Sequence, residues 1–399
     1  MRCAIFCNII DNFGDIGVCW RLARQLTAEY QLSVSLFVDD LHSFAILAPQ
    51  LQPELPVQPL GQITVHHWQA QTCFDQPYDL IIEGFGCRLG DPLLRHMQQQ
   101  AAAGQPPLWI NLEYMSAETW VMDCHGMVSV HPATGLKQTF WFPSTTPHSG
   151  GLIREQTLLA ERDQFQHDHH LQTEFWNALG LSDAIQFSRK ISLFSYENTA
   201  IAELLTALAQ DSISTLLLVP KSKSIPDIEV WLQQQAAYTQ QIRPPLQIND
   251  RIQFQNLTIV VLPFLSHYQY DQLLWACELN FIRGEDSCVR AQWAGKPFIW
   301  HIYPQHDNAH LTKLQAWMDQ IEQQGTIASS WQAAMKAWNR NALSLSASSH
   351  PVSDTAMWQR LMADLPSWTH QLANWSHYLT QQSDLAARLI YWIEQNQQG

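Results

Sequence analysis

The sequence is short of positive charge. Its 399 residues include 22 lysines and arginines against 36 aspartates and glutamates, which gives a formal net charge of −14. This balance disfavours general binding to nucleic acid backbones or to anionic membranes. We therefore expect no nucleic acid and no membrane among the partners, and a partner with a cationic patch suits the chain better.

Long apolar runs and paired cysteines are also missing. No run approaches the roughly 18 apolar residues of a membrane span, and the N-terminus MRCAIFCNIID lacks the small-residue cleavage site of a secretory signal. The eight cysteines are scattered without paired spacing, several of them inside apolar runs, which indicates reduced core thiols rather than a disulfide framework. We expect a cytoplasmic protein.

Several familiar catalytic motifs are absent. The chain has no Asp-x-Asp triplet for a divalent metal, no Gly-x-Ser-x-Gly elbow and no complete Gly-x-Gly-x-x-Gly fingerprint. His66 with His67, and His167 with its neighbours His169 and His170, resemble metal ligands only by clustering, and solvated histidines explain them better. We therefore expect no metal site.

What the sequence does contain is a repeated alternation of short apolar runs with helical patterns, which is typical of βα units and a parallel sheet. The alternation breaks at a polar segment, residues 161–170, and then starts again. This predicts two Rossmann-like domains with a cleft between them. The predicted strands are residues 4–10, 32–38, 63–68, 80–85 and 108–114 in the first half, and 191–196, 216–219, 257–264, 279–282 and 297–303 in the second.

The first stretch that could carry chemistry is DNFGDIGVCWRLARQL, which begins at Asp11. Gly14 and Gly17 allow a tight turn before a helix predicted from Val18 onward, but Asp11 and Asp15 would repel a phosphate at that turn. Two carboxylates at the end of the first strand fit proton removal or the binding of a cationic group better. The alternative is structural, with Asp11 capping the turn and Asp15 capping the helix.

The second stretch is FIRGEDSCVRAQWAGKPFIWHIYPQ, from residue 281 to residue 305, and it has the opposite charge at its turn. Arg283 precedes Gly284 and a predicted helix N-terminus that Ser287 could cap, so it could neutralise a diphosphate. Glu285 or Asp286 could then accept hydrogen bonds from sugar hydroxyls. A nucleotide-sugar site and a solvated surface corner are both consistent with this pattern.

A third candidate lies in LFSYEN, where Phe194 and Tyr196 alternate at the end of the strand that opens the second half. Aromatic side chains at this position could stack on a nucleobase. By default, one of the two belongs to the core.

With these stretches in view, the chain resembles the EarP family, the bacterial protein-arginine rhamnosyltransferases that modify elongation factor P. The resemblance depends on IDNFGDIGVCWRLARQL, LEYMSAE, FWFPS, SGGLIRE, FSYEN and IRGEDSCVRAQWAGKPFIWHIYPQ, which occur in this order along the chain. It implies an α/β fold of the GT-B glycosyltransferase class, with two Rossmann-like domains facing a central cleft. It further implies a metal-independent, inverting transfer of rhamnose from dTDP-β-L-rhamnose, with no other cofactor, to one arginine in the KOW-like N-terminal domain of elongation factor P.

The same resemblance implies the domain boundaries. Residues 1–185 would form the acceptor-binding domain, joined by a last helix over residues 383–399 that begins with Ser383 as its cap. Residues 186–382 would form the nucleotide-sugar-binding domain.

The resemblance also implies roles for individual residues. Asp15 matches the proposed general base, Asp11 its companion, and Glu285 a residue important for activity. The substrate-binding positions would be Asn12, Phe13, Gly14 and Gly17 in the first domain, and Phe194, Tyr196, Phe264, Arg283, Asp286 and Ser287 in the second. Where relatives commonly have a Pro-Gln-Gln type stretch, this chain has Ser266, His267 and Tyr268, so a glutamine contact to the thymine cannot be transferred.

Two other functions stay open at the level of the sequence. One is an NAD-dependent oxidoreductase, which the incomplete dinucleotide fingerprint weakens. The other is a docking protein for a translation factor without enzymatic activity, which would need no dTDP-sugar.

Overall fold

The chain divides into two compact units. A computed structural model describes residues 1–10, 13–74, 76–235, 245–305, 307–325, 328–340 and 355–397. The first unit consists of Met1–Gln156 with Leu379–Gly399, and the second of Thr157–Tyr378. These limits differ from the boundaries expected at residues 185 and 382. The packing of the segments near the two boundaries explains the difference.

The first unit is built on a mainly parallel sheet of eight strands among the described residues, in the order β3-β4-β2-β1-β5-β6-β8-β7. Only β3 and β7, which pair with β4 and β8, run antiparallel to their neighbours. The strands are β1 (Arg2–Cys7), β2 (Ser33–Val38), β3 (Val57–Leu60), β4 (Ile63–His67), β5 (Leu80–Gly84), β6 (Leu108–Leu112), β7 (Val128–Val130) and β8 (Lys137–Trp141). The helices are α1 (Gly14–Tyr30), α2 (Leu41–Leu47), α3 (Asp91–Ala102), α4 (Trp120–Cys124) and α14 (Leu385–Gln397).

The second unit contains a six-stranded sheet in its described part, in the order β11-β12-β10-β9-β13-β14, with only β11 antiparallel to its neighbour. Its strands are β9 (Arg189–Leu193), β10 (Thr215–Pro220), β11 (Arg251–Phe254), β12 (Leu257–Leu262), β13 (Leu279–Arg283) and β14 (Phe298–His301). Its helices are α5 (Leu158–His167), α6 (His169–Ala178), α7 (Ile201–Gln210), α8 (Ile225–Gln234), α9 (His267–Ala276), α10 (Gly284–Ala294), α11 (Ala309–Gln323), α12 (Ser329–Trp338) and α13 (Thr355–Thr380).

The segment expected as a weakly patterned connection, residues 161–170, is helical and packs on the second unit. On α5, Arg162 donates from Nη1 to the carbonyl oxygen of Trp293 over 2.6 Å. Phe165 lies with its ring centroid 5.7 Å from that of Trp275. Burial of this aromatic contact, together with the hydrogen bond, explains why residues 157–185 belong to the second unit.

The last helix belongs to the first unit. Arg388 of α14 donates from Nη1 to the carbonyl oxygen of Ser149 over 2.6 Å, and the rings of Trp392 and Trp141 lie 6.0 Å apart. The Asp384 carboxylate accepts the backbone N–H of Ala387 over 3.1 Å, so Asp384 caps this helix. The prediction that Ser383 is the cap was wrong by one residue.

Tryptophan dominates the core of the second unit. Nine tryptophans there are less than 2% exposed or at that limit, among them Trp300, Trp317 and Trp331. The ring of Trp317 lies 5.4 Å from that of Trp300 and 5.9 Å from that of Trp331, so the large rings contact one another between the sheet and α11 and α12. Six of the eight cysteines are buried and all eight are free, as the absence of paired spacing predicts.

Candidate active site

In the first unit, the candidate loop connects β1 to α1. Asp11 and Asn12 lie outside the described residues. The helix begins earlier than expected, at Gly14 rather than Val18, and the carbonyl oxygen of Phe13 accepts the N–H of Gly17 over 2.9 Å. Gly14 and Gly17 are therefore both helical, and they do not form the tight turn that was expected before the helix.

Asp15 lies in the first turn of α1 and is only 2% exposed. Its Oδ2 accepts the backbone N–H of Ile10 over 2.8 Å. This hydrogen bond links the first turn of α1 to the backbone that follows β1. An acidic group in the first turn is also favoured by the helix dipole. Asp15 is not the residue before the helix, since Phe13 occupies that position, so the structural alternative in which Asp15 is the N-cap does not hold.

The loop after β5 lies beside the loop after β1, as the strand order requires. Asn8 donates from Nδ2 to the carbonyl oxygen of Cys87 over 3.3 Å. A Cβ on Gly84 would lie 2.7 Å from the carbonyl oxygen of Phe6 and 3.0 Å from Sγ of Cys19, so only glycine allows β5, β1 and α1 to approach this closely. β5, β1 and α1 are therefore tightly packed against one another.

In the second unit, Arg283 is the last residue of β13 and the residue that precedes α10. Gly284 follows with a φ of 68°, which glycine adopts without steric cost. Ser287 lies inside α10 rather than before it, so the prediction that Ser287 caps this helix was wrong. The N–H groups of the first turn of α10 and the Arg283 side chain together provide hydrogen-bond donors at the carboxyl end of β13.

The guanidinium of Arg283 is held between two aromatic rings. Its central carbon lies 4.5 Å from the ring centroid of Phe194 and 4.9 Å from that of Tyr196. Arg283 is 8% exposed, and its buried Nη1 has no hydrogen-bond partner among the described residues. A buried cationic donor without an acceptor is costly, and an anionic ligand would satisfy it.

Tyr196 is buried and Phe194 is half-buried. One of the two aromatic residues therefore belongs to the core, as expected, and it is Tyr196. The ring of Tyr196 lies 5.1 Å from that of His301 and 5.7 Å from that of Tyr303. His301 is hydrogen-bonded through Nδ1 to the hydroxyl of Ser195 over 2.8 Å. Burial, followed by the charge of Arg283, lowers the pKa of His301 to about 3, so His301 is neutral and Arg283 carries the positive charge here.

The acidic residues of this turn do not all point to a ligand. Oε1 of Glu285 forms an ion pair with Nζ of Lys313 at 2.7 Å, in which both side chains are largely buried. Asp286 is half-buried and Ser287 is buried at the start of the same helix. The structure therefore brings the Arg283 turn, Phe194 and Tyr196 together, and it shows a partner for Glu285 that the sequence did not suggest.

The segment that departs from the family pattern has a structural role. Ser266 is the N-cap of α9: its hydroxyl accepts the N–H of Gln269 over 3.3 Å, and the Gln269 side chain accepts the N–H of Ser266 over 3.2 Å. This is a capping box. His267 is buried, Tyr268 is exposed, and Phe264 just before them is half-buried.

A cavity of about 400 Å³ opens beside Tyr196 in the second unit. The sequence did not single out most of its lining, although Tyr303 follows the end of β14 just as Tyr196 follows β9. Position at the carboxyl end of a strand was therefore a usable signal for Tyr303, but not for residues brought in by helices. The lining consists of Tyr196, Glu197, Asn198, Thr199, Lys223, Asp227, His301, Tyr303, Pro304 and Arg340.

The histidine pairs are not arranged as ligands. The ring of His66 stacks on Phe37 at 4.4 Å, and Nε2 of His67 is hydrogen-bonded to the carbonyl oxygen of Asp39 over 3.0 Å. Within the part of the chain that the structure describes, no three His, Cys, Asp or Glu side chains are grouped so that they could share a metal ion. None of the described helices combines the length and apolar composition needed to cross a membrane.

Comparison with known proteins decides the family. A family model described as Elongation-Factor P (EF-P) rhamnosyltransferase EarP matches residues 3–394. The chain belongs to the EarP family. It is 44% identical over 314 residues to a protein-arginine rhamnosyltransferase of Pseudomonas putida, covering 79% of this chain and 80% of that relative. It is 39% identical over 388 residues to the Pseudomonas aeruginosa enzyme of the same name, covering 97% of each.

A solved structure of an EarP protein, described as the structural basis for EarP-mediated arginine glycosylation of translation elongation factor EF-P, is similar along almost the whole chain. It has a TM-score of 0.66 and 28% identity, and the match covers 99% of both chains. Membership of the EarP family confirms the resemblance found in the sequence and the prediction of an enzyme, a protein-arginine rhamnosyltransferase. The predicted α/β class is confirmed as well, with one mainly parallel sheet in each of the two units. The oxidoreductase and docking-protein alternatives are set aside.

Proposed function

We propose that this protein transfers rhamnose from dTDP-β-L-rhamnose to one arginine in the KOW-like N-terminal domain of elongation factor P. Family membership supports the acceptor, because the matching family model is described by its action on EF-P. The first unit binds the acceptor arginine, and the second binds the nucleotide sugar. The reaction belongs in the cytoplasm, where a translation factor is found.

The observation that carries the donor assignment is the Arg283 guanidinium, buried between two rings with Nη1 unpartnered among the described residues. A diphosphate supplies the missing acceptor, and the N–H groups at the start of α10 add further donors. These positive groups stabilise the departing dTDP, so we propose that no metal ion is required. Phe194, Tyr196 and Phe264 line the donor pocket, where Asp286 and Ser287 offer polar contacts.

The acceptor chemistry needs a carboxylate because a guanidinium stays protonated at neutral pH and its delocalised charge makes it a poor nucleophile. Asp15 is buried in the first turn of α1, the helix that follows β1, and it accepts the proton from one guanidinium nitrogen. That nitrogen forms a bond to the anomeric carbon as the bond from this carbon to the diphosphate oxygen breaks. Attack from the face opposite the leaving dTDP inverts the β-linked donor to an α-linked product.

The remaining loop residues are assigned supporting roles. Asp11 holds the guanidinium, and Asn12, Phe13, Gly14 and Gly17 are assigned to acceptor binding by their family positions, the two glycines from within α1. Glu285 is assigned to catalysis by its family position. Its ion pair with Lys313 supports a role in fixing the start of α10 beneath the diphosphate, rather than direct proton transfer.

Intact-mass spectrometry of elongation factor P tests the proposal. The acceptor is incubated with this protein and dTDP-rhamnose, in parallel with and without EDTA. We expect it to gain the mass of one deoxyhexose residue in both samples, and not when its modified arginine is replaced by lysine. No mass gain with the unaltered acceptor would refute the transfer, and a gain lost only with EDTA would refute metal independence.

A further inference from the structure

The turn that follows β5, residues 85–88, carries unusual backbone strain. Phe85 has a φ of 56° and Arg88 a φ of 55°, and neither is glycine. Side chains with a Cβ rarely adopt this left-handed conformation because the Cβ approaches the following carbonyl oxygen. A strained conformation of this kind persists only where the surrounding structure enforces it.

The buried carboxylate of Glu83 stabilises the strained conformation of this turn. Glu83 is the residue before Gly84, and its Oε1 accepts the backbone N–H of Arg88 over 2.6 Å. Its Oε2 accepts hydrogen bonds from Nε1 of Trp109 over 3.2 Å and from Nε2 of Gln138 over 2.7 Å. With three donors fixing it, Glu83 holds the turn in its strained shape.

The strain places an aromatic ring at the carboxyl edge of the sheet. The ring of Phe85 stacks on that of Tyr114 with 4.5 Å between centroids and 17° between planes. Both side chains are half-buried, so part of the stacked pair stays open to solvent. Tyr114 belongs to LEYMSAE, a stretch that carries the family resemblance but to which the reaction described above gives no role.

The stacked pair lies beside the segment that connects β1 to Asp15 at the start of α1. β1, β5 and β6 are adjacent in the sheet, so their carboxyl ends are neighbours. Asp15 follows β1, Phe85 follows β5 and Tyr114 follows β6. Asn8 links the two loops by its hydrogen bond to Cys87, 3.3 Å long. An aromatic face next to buried carboxylate is the arrangement that binds a guanidinium, since the plane stacks on the ring while the N–H groups reach the oxygen atoms.

We propose that Phe85, supported by Tyr114, stacks on the guanidinium of the acceptor arginine and positions it for Asp15. This inference rests on the proposed transfer to arginine. Phe85 and Tyr114 are then positioning residues, and Glu83 stabilises the turn that contains Phe85. The strain at Phe85 is retained because this conformation presents the ring.

The test is Phe85→Gly, which removes the ring and the backbone strain at residue 85 together, while Arg88 keeps its conformation. We expect thermal stability to be unchanged or raised, because glycine adopts this conformation freely. The KM for elongation factor P should rise about 5- to 30-fold, the worth of one partly desolvated cation–π contact, with little change in kcat. The stability gained from dTDP should stay as in the unaltered protein.

Three companion variants sharpen the result. Tyr114→Phe keeps the stacked ring and should behave as the unaltered protein, whereas Tyr114→Ala should raise the KM in the same way as Phe85→Gly. Tyr391→Ala removes an aromatic side chain that is 65% exposed on α14 and should leave the KM unchanged.

Two outcomes are distinguishable. An unchanged acceptor KM in Phe85→Gly, while the unaltered protein transfers rhamnose, would overturn the assignment of the aromatic pair and leave the proposed function intact. Failure of the unaltered protein to modify elongation factor P would overturn both.

Discussion

Replacement of Arg283 by methionine should weaken binding of the nucleotide sugar while leaving the stability of the ligand-free protein nearly unchanged. In the ligand-free protein, Arg283→Met removes the buried Nη1, a hydrogen-bond donor with no acceptor in the described part of the chain. Its removal should raise the free energy of unfolding by about 1–3 kcal/mol. The substitution also removes the cation–π contacts with Phe194 and Tyr196, at a cost of about 1–2 kcal/mol, part of which methionine recovers by packing on the same rings. We therefore expect the free energy of unfolding without ligand to change by no more than about 1 kcal/mol.

With dTDP the two proteins should differ clearly. A lost charge-assisted hydrogen bond worth about 3 kcal/mol weakens binding about 100-fold. At a dTDP concentration 100 times the Kd of the unaltered protein, ligand binding contributes about 2.7 kcal/mol, and in the variant about 0.4 kcal/mol. For a unit of this size the difference corresponds to roughly 5 to 9 °C in the dTDP-induced shift of Tm.

The assay is differential scanning fluorimetry with and without dTDP, together with calorimetric titration for the Kd. Arg251→Met is the matched control, because Arg251 is a half-exposed arginine of the same unit that is already paired with Asp183. It should keep the full dTDP-induced shift. A dTDP-induced shift in Arg283→Met equal to that of the unaltered protein would refute the assignment of Arg283 to the diphosphate.

Three further predictions concern proton transfer, pH and packing. Asp15→Asn should lower kcat about 100-fold or more while the Kd for dTDP stays unchanged, and retained turnover would exclude Asp15 as the base. His301 stays neutral in the folded protein down to a pH of about 3, whereas in the unfolded chain it gains a proton below about pH 6.5. The free energy of unfolding should therefore fall by about 1.6 kcal/mol between pH 6.5 and pH 5. Denaturant titrations of His301→Gln should show a smaller loss, and an identical loss would contradict this reasoning. Gly150→Ala should lower the free energy of unfolding by about 1–3 kcal/mol, measured in the same way, because its Cβ would lie 2.5 Å from Nε1 of Trp141; an unchanged value would show that the site relaxes freely.

Apolar runs were sufficient to locate the central strands. Each of the ten predicted strands overlaps an observed one, because strands covered on both faces by helices are continuously apolar. The strands that were missed are β3, β7, β8 and β11. Three of them are antiparallel edge strands, short or partly polar, and the β3 sequence VQPL contains a proline. Edge strands lack the burial that makes a strand visible in sequence.

Local signals were less reliable at the ends of helices. Ser287 and Ser383 were preferred as caps by residue type, but α10 begins at Gly284 and α14 is capped by Asp384. The difference is one of backbone geometry, since a residue caps a helix only where the chain leaves helical angles. Residue type alone does not determine that position.

The candidate site was predictable where it followed a strand and not where distant segments converge. Arg283 and Tyr196 were found because they lie at the carboxyl ends of β13 and β9. Lys223 and Arg340 line the cavity beside Tyr196 but come from positions more than 100 residues apart, and only the order of strands and helices brings them together. Likewise, the stacking of Phe85 on Tyr114 depends on β5 and β6 being neighbours.

The central claim is that a cationic turn in the second unit binds the anionic leaving group, while carboxylates in the first unit handle a cationic acceptor. A crystal structure of the protein with bound dTDP tests it most directly. We predict a phosphate oxygen within about 3 Å of Nη1 of Arg283, with further contacts to the N–H groups that begin α10. Phosphates bound against Asp15, with Nη1 of Arg283 still without an acceptor, would contradict the claim.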